Sequence, residues 1–99
     1  MRKIRGLLRE NTFGDGTVWR SFYCPGCNKR HTVTEQWEFD GNYDAPTFSP
    51  SVLTWGSPWD NYRCHSFVRN GHIEFLSDCT HALAGQTVKL PPLPDGSDS

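Results

Sequence analysis

Four cysteines constrain this 99-residue chain more than any other feature of its sequence. Hydrophobic residues make up only 35% of the chain, and a small domain with so thin a core usually needs a disulfide or a metal for stability. Cys24 and Cys27 form a Cys-Pro-Gly-Cys motif, whereas Cys64 and Cys79 stand alone. The sequence therefore predicts a single domain over residues 1–90 that its cysteines hold together.

The N-terminal segment indicates the compartment in which these cysteines work. Residues 1–10 contain neither the apolar run nor the small-residue cleavage site of a signal peptide, and no apolar stretch is long enough to span a membrane. We therefore expect a cytoplasmic protein. Clustered cysteines in a reducing cytosol are more often metal ligands than disulfides, and thiolates suit zinc, so Zn²⁺ is the predicted cofactor.

Two sets of zinc ligands are compatible with the sequence. The motif from Cys24 to Cys27 is a tight knuckle that can aim two sulfurs at one point, as in zinc ribbons. In the first set, all four cysteines bind one zinc. In the second set, the knuckle is joined by one of the other two cysteines and by His65 or His81. We expect His31, four residues after the knuckle, to cap a strand or lie at the surface.

A second group of polar residues lies beside the two isolated cysteines. It consists of His65, Asp78 and His81. Because side chains alternate along a strand, His65 is expected to point away from the face that carries Cys64. The three residues can then act as general acid and base, or hold a second, open metal site. In the alternative interpretation Asp78 caps a turn and the histidines donate to buried carbonyl groups.

The hydrophobic pattern predicts a mainly β domain, small α+β at most, built from zinc-stapled β-hairpins. Runs of β-branched and aromatic residues alternate with glycine, asparagine and proline. Asn70-Gly71 between two such runs is the strongest hairpin signal, because both central positions of a type I′ turn need positive φ. Residues 82–85 predict one short helical turn that ends at Gly85.

Prolines shape the two remaining regions of the chain. Residues 42–58 contain three prolines, so we expect an ordered loop with at most one short edge strand over residues 51–55. Trp55 and Trp59 in this loop are candidates for a contact surface. The proline-rich and then polar residues 91–99 predict a disordered tail.

Several motifs together resemble a family of small phage and prophage proteins whose domain has no assigned function. The motifs are Cys24-Pro-Gly-Cys27, Trp37-Glu-Phe-Asp-Gly-Asn42, Ala45-Pro-Thr-Phe-Ser-Pro-Ser51, Cys64-His-Ser-Phe-Val-Arg-Asn-Gly71 and residues 75–88. Members of this family often carry the label "ammonia monooxygenase". That label requires a membrane-embedded copper enzyme, and we set it aside because the sequence has no membrane-spanning stretch.

More distant relatives resemble components of bacterial ubiquitin-like conjugation operons, for which a peptidase role has been suggested. They share the knuckle, a segment like Pro50-Ser51, and a histidine before the Arg-Asn-Gly turn, which here is His65. The motif at residues 77–85 looks specific to the phage branch. The resemblance thus implies a zinc-knuckle protein and adds peptidase activity to the candidates.

Together with this resemblance, the residues predict a zinc-binding phage accessory module that acts through a host or phage protein partner. The alternative is a small zinc-dependent hydrolase, peptidase-like, that uses His65, Asp78 and His81. The resemblance also implies that the expected cytoplasm is that of a bacterial host cell. A nucleic-acid-binding zinc ribbon is disfavoured, because the net charge is −1 and phosphate binders usually carry a basic surface.

Overall fold

The computed structural model describes residues 2–55 and 62–94, and within them the chain forms only β-strands and connecting loops. The strands belong to two antiparallel sheets, so the predicted mainly β fold is confirmed. The predicted short helical turn is not a helix in the described structure. Residues 82–85 form a hydrogen-bonded turn, in which Ala84 N–H donates to the His81 carbonyl and Gln86 N–H donates to the Leu83 carbonyl, and Gly85 has a φ of 78°. No helix capable of spanning a membrane occurs in this described part.

The first sheet contains four strands in the order in which they follow along the chain. They are β1 Arg2–Arg5, β2 Leu8–Thr12, β3 Val18–Cys24 and β4 Lys29–Val33. The Cys-Pro-Gly-Cys knuckle connects β3 to β4, and Cys24 pairs with Lys29 at its base. Asn28 closes this turn with a φ of 57° and donates its backbone N–H to the carbonyl of Cys24.

The second sheet contains five strands, again in chain order. They are β5 Glu38–Phe39, β6 Phe48–Trp55, β7 Arg63–Arg69, β8 His72–Phe75 and β9 Thr87–Lys89. The β7–β8 hairpin turns at Asn70-Gly71, whose φ angles of 50° and 75° are those that a type I′ turn requires.

Strand β6 departs from the sequence-based expectation for the proline-rich region. It has eight residues and lies between β5 and β7, so it is an interior strand and not a short edge strand. Its pairing with β7 is interrupted by a bulge between Phe48 and Val52. Pro50 is tolerated inside the sheet because it falls in this bulge, where the regular ladder is interrupted.

Two expectations fall wholly or partly outside the described residues. Residues 95–99 of the expected tail and Trp59 lie there, as does the side chain of Trp55. The division into a domain over residues 1–90 and a tail over residues 91–99 therefore stays a prediction.

The hydrophobic core contains buried residues from both sheets. Its buried members are Leu8, Phe22, Cys24, Val33, Phe48, Val52, Cys64, Val68, Ile73, Phe75, Cys79 and Leu90. Three of the four cysteines belong to this core, and all four are free thiols. The thiol groups are thus part of the packing that stabilises the fold.

A buried carboxylate connects the first sheet to the segment that precedes β6. Glu10 on β2 is 7% exposed and accepts a hydrogen bond from the Tyr43 hydroxyl. The Arg5 guanidinium lies 3.3 Å from the same carboxylate oxygen, and that of Arg20 lies 4.0 Å away. Burial raises the pKa of Glu10, but the Tyr43 hydrogen bond and the arginine charges outweigh it and lower the pKa overall.

Candidate functional site

The two faces of strand β7 carry different functional groups, a thiol on one and an imidazole on the other. Buried and half-buried residues alternate along it, and Cys64 is buried while His65 is half-buried. Cys64 contacts other thiol groups in the core, whereas the His65 ring contacts a serine and an aspartate. The expectation that these neighbours point to opposite faces agrees with this arrangement.

A serine, a histidine and an aspartate form a hydrogen-bonded series on the half-buried face. Ser51 Oγ lies 2.9 Å from His65 Nε2, and His65 Nδ1 lies 3.4 Å from Asp78 Oδ2. The side chain of His65 is 26% exposed and that of Asp78 is 41% exposed. The imidazole therefore bridges a hydroxyl and a carboxylate through its two nitrogens, at a position that solvent reaches.

The bulge in β6 presents Ser51 to the histidine. Leu53 pairs with His65 across β6 and β7, and Ser51 precedes Leu53 by two residues on the same strand. The bulge lies between the Phe48 and Val52 pairs, and bulges commonly re-aim a side chain beside an active site. The backbone carbonyl of Ser51 accepts a hydrogen bond from Trp37 Nε1 at 3.3 Å, which fixes the strand at this point.

The loop after β8 brings Asp78 to the other side of the histidine. Residues 76–80 run back along β7, where Leu76 N–H donates to the His65 carbonyl and Thr80 N–H donates to the Arg63 carbonyl, both at 2.9 Å. The Arg63 guanidinium lies 3.6 Å from Asp78 Oδ2. The carboxylate is thus held between the imidazole and a cation.

This arrangement has the connectivity of a nucleophile, a general base and an orienting group. A serine hydroxyl is a weak nucleophile until an adjacent base removes its proton, and the base needs a third group to fix its orientation. The Ser51–His65 distance of 2.9 Å meets the first requirement, and the His65–Asp78 distance of 3.4 Å is slightly longer than the range of about 2.6–3.2 Å that is usual for the second. Among the described residues, no hydrogen bond joins His81 to this group, although the sequence suggested His81 as its third member.

A small cavity opens beside β5 and the start of β6. It has a volume of about 160 Å³. Its lining residues are Glu38, Phe39, Asp40, Thr47 and Ser49. The three residues of the hydrogen-bonded series are not part of this lining.

Thiol groups from the two sheets meet on the buried side of β7. Cys24 Sγ of the first sheet lies 3.7 Å from Cys64 Sγ of the second sheet. Two thiolates on one tetrahedral zinc, each about 2.3 Å from the metal, would lie about 3.8 Å apart. One ligand atom each of Cys24, Cys27, His31 and Cys64 lies within 4.8 Å of the others, so these four residues can hold a metal ion.

The orientation of His31 fits a metal ligand. Its Nδ1 lies 3.3 Å from Thr54 Oγ1 on β6, while its Nε2 is buried and has no hydrogen-bond partner in the described structure. An unpartnered buried nitrogen is costly, and a metal ion would satisfy it. Three cysteines and one histidine form a common closed zinc site.

Neighbouring thiols in this group shift one another's pKa values. The hydrogen bond with Cys64 lowers the pKa of Cys24 to about 4, burial opposes this effect, and His31 adds to it. The pKa of Cys64 is raised, first by its bond with Cys24 and then by burial. Burial also raises the pKa of Cys27, whose sulfur accepts a hydrogen bond from the Tyr62 hydroxyl. A bound cation would lower the pKa of all three thiols together, because a coordinated thiol is deprotonated.

A second group overlaps the first at Cys64. It contains Cys64, Cys79 and His81, whose ligand atoms also lie within 4.8 Å of one another. His81 Nε2 is 3.4 Å from Cys64 Sγ, and the ring packs edge-on against Phe75 with centroids 4.5 Å apart. A Cβ on Gly26 of the knuckle would lie 2.3 Å from the His81 ring, so only glycine allows this approach. The structure thus places His81 beside the thiols.

A comparison with protein families identifies the chain. The family described as bacterial ubiquitination-like system serine protease (BubE) matches residues 4–76. The chain belongs to this family. The BubE match includes Ser51 and His65, whereas Asp78 lies two residues beyond its end. The expected relation to bacterial ubiquitin-like operons is confirmed.

The other two comparisons gave no relatives. No curated protein and no solved structure matches the chain significantly. The match to the BubE family and the geometry of the site are therefore the two observations on which a function can be based.

The sequence analysis assigned no catalytic role to Ser51, although the distant relatives share the Pro50-Ser51 segment. It expected His31 to cap a strand or lie at the surface, whereas His31 lies inside β4 and is only 5% exposed. The signal for His31 was its spacing of four residues after Cys27. Neither signal was specific, because the partners of Ser51 and His31 come from distant parts of the chain.

Proposed function

We propose that this protein is a serine hydrolase of the protease type, with Ser51 as nucleophile, His65 as general base and Asp78 as orienting group. The observation that carries the proposal is the continuous contact from Ser51 Oγ through both nitrogens of His65 to Asp78. The BubE family, described as a serine protease, supports the same reaction class.

The proposed reaction follows from these contacts. The Ser51 oxygen adds to the carbonyl carbon of the substrate while its proton passes to His65 Nε2. The imidazolium then gives this proton to the leaving group, and an acyl-serine forms. Water, activated by the same histidine, releases the acyl group and restores the serine. Asp78 stabilises the imidazolium and keeps the proton of the neutral ring on Nδ1.

The substrate we propose is a protein of a bacterial ubiquitination-like system, cleaved at an amide or ester bond. This narrows the predicted host or phage protein partner to one that is bound as a substrate. The family description supports this substrate class. The side chains of His65 and Asp78 are partly exposed, so the proposed catalytic residues can reach a bond on a protein surface. The phage origin and the cytoplasmic location stay predictions.

The proposal also assigns a structural role to zinc. Cys24, Cys27 and His31 come from the first sheet and Cys64 comes from the second, so a metal on these residues would tie the two sheets together. All four are protein ligands, which is typical of structural rather than catalytic zinc. The zinc-hydrolase alternative has less support, because the His65 ring contacts Ser51 and Asp78 and not the thiol group.

The nucleophile is tested by labelling with a fluorophosphonate probe and by hydrolysis of p-nitrophenyl acetate. We expect the wild type to be labelled on Ser51, and Ser51→Ala to lose labelling and at least about 10³-fold of the hydrolysis rate. Ser49→Ala is the matched control, because Ser49 is an exposed serine on the same strand. Equal hydrolysis by wild type and Ser51→Ala would exclude Ser51 as the nucleophile.

The zinc assignment is tested separately by native mass spectrometry and thermal unfolding. We expect one zinc per chain, and a marked loss of thermal stability on chelation, because binding free energy contributes to folding in small metal domains. Cys24→Ser should reproduce the effect of chelation. An unchanged melting curve after complete metal removal would show that zinc does not stabilise the two sheets.

A further inference from the structure

The thiol of Cys79 contacts the backbone of the proposed general base. Cys79 Sγ lies 3.2 Å from the His65 N–H nitrogen, which donates to it, and 3.2 Å from the His65 carbonyl oxygen, to which it donates. Strand β8 ends at Phe75, which pairs with Ser66 of β7. Beyond this pair the His65 carbonyl accepts a hydrogen bond from the Leu76 N–H, and the Cys79 thiol adds contacts to both polar groups of the His65 backbone.

The Cys79 sulfur contacts both polar groups of the His65 backbone, and the proposed zinc site does not need it. The other three cysteines and His31 already make a four-ligand set without Cys79.

Cys79 also fixes the residue that precedes it. Its backbone N–H donates to the Leu76 carbonyl at 3.2 Å, and its side chain is buried against β7, with the residue 8% exposed. Asp78 therefore lies inside the turn that the Leu76–Cys79 hydrogen bond closes, directly before the buried Cys79. Cys79 thus holds the backbone of His65 and, through the chain, the position of Asp78.

We propose that Cys79 is a positioning residue of the Ser51–His65–Asp78 centre and not a zinc ligand. The inference rests on the proposed hydrolase function for its kinetic part. Its metal-binding part stands independently, because it concerns which sulfur atoms bind zinc.

The ligand set is measured first, on the wild-type protein loaded with zinc alone. X-ray absorption at the zinc edge counts sulfur and nitrogen neighbours of the metal. We expect three sulfurs and one nitrogen. Four sulfurs would place Cys79 on the metal and overturn the proposal. This measurement needs neither a substrate nor a variant that folds.

Two variants then test the positioning role. Cys79→Ala removes both hydrogen bonds, whereas Cys79→Ser keeps a group that can donate and accept. We expect both variants to retain one zinc per chain. For p-nitrophenyl acetate, Cys79→Ala should lower kcat by at least about tenfold with KM within about twofold, because small displacements of a catalytic group are costly. Cys79→Ser should recover most of this loss.

The possible results separate this proposal from the proposed function. Loss of zinc in both Cys79 variants, or a Cys79→Ala enzyme with unchanged kcat, would overturn the positioning role. A wild type that hydrolyses no ester and reacts with no fluorophosphonate would instead refute the hydrolase function. The metal-edge spectrum, together with the zinc content of Cys79→Ala, would still decide whether Cys79 binds zinc.

Discussion

His65 and Cys64 are consecutive residues of β7 that serve two different sites. Cys64 Sγ lies 3.7 Å from Cys24 Sγ in the core, while His65 Nε2 lies 2.9 Å from Ser51 Oγ on the opposite face. A single strand thus links the proposed metal centre to the proposed catalytic centre. Any change that shifts β7 is expected to affect both.

The role of Asp78 is tested by Asp78→Asn. The amide can present an N–H to His65 Nδ1 and so favour the wrong ring tautomer. We expect kcat for p-nitrophenyl acetate to fall by roughly 10²-fold, less than for Ser51→Ala, because Asp78 only orients the imidazole and is 41% exposed. Asp44→Asn changes another exposed carboxylate and serves as the control. An Asp78→Asn enzyme as active as this control would remove Asp78 from the mechanism.

The fourth zinc ligand is tested at His31 and at the residue that orients it. We expect His31→Gln to weaken zinc binding by at least about 100-fold, and Thr54→Val by roughly tenfold, since Thr54 fixes the imidazole through Nδ1. Zinc affinity is measured by competition with a chromophoric chelator. His72→Gln is the matched control, because His72 is an exposed histidine at the start of β8. Wild-type affinity in His31→Gln would mean that another residue completes the site.

The close approach of the knuckle to His81 is tested by Gly26→Ala. The added Cβ would meet the His81 ring at 2.3 Å, so the ring or the knuckle must move. We expect the free energy of unfolding to fall by about 1–3 kcal/mol in urea titrations. Gly14→Ala is the control, because nothing lies within 4 Å of the corresponding Cβ. Equal stability of the two variants would show that His81 does not lie against Gly26.

The buried carboxylate of Glu10 predicts a pH dependence of stability. Its pKa is lowered in the folded protein, so its stabilising contribution is complete above the ordinary glutamate pKa and is lost as the pH falls through the folded value. We expect Glu10→Gln to lose about 1–3 kcal/mol of stability at pH 7, with the difference from wild type shrinking below about pH 4. Urea unfolding of both proteins at several pH values measures this. A pH-independent difference would exclude the ionised carboxylate as the cause.

Much of the local structure was predictable, because it depends on residues close together in the chain. Asn70-Gly71 specifies a type I′ hairpin through the positive φ that both residues tolerate. The opposite directions of Cys64 and His65 follow from the alternation of side chains along any strand. The interior position of β6 was not predictable, because the bulge that accommodates Pro50 depends on how β6 pairs with β7.

The sequence by itself determined a β domain, a two-cysteine knuckle and the nearness of His65, Asp78 and the isolated cysteines. Only the tertiary structure brought Ser51 to His65, because their contact needs the pairing and bulge of β6 and β7. It likewise brought His31 to Cys64, since these residues come from different sheets. The physical reason is the same in both cases. Turn and strand preferences act on neighbouring residues, whereas a site is built by burial and pairing between segments that the sequence separates.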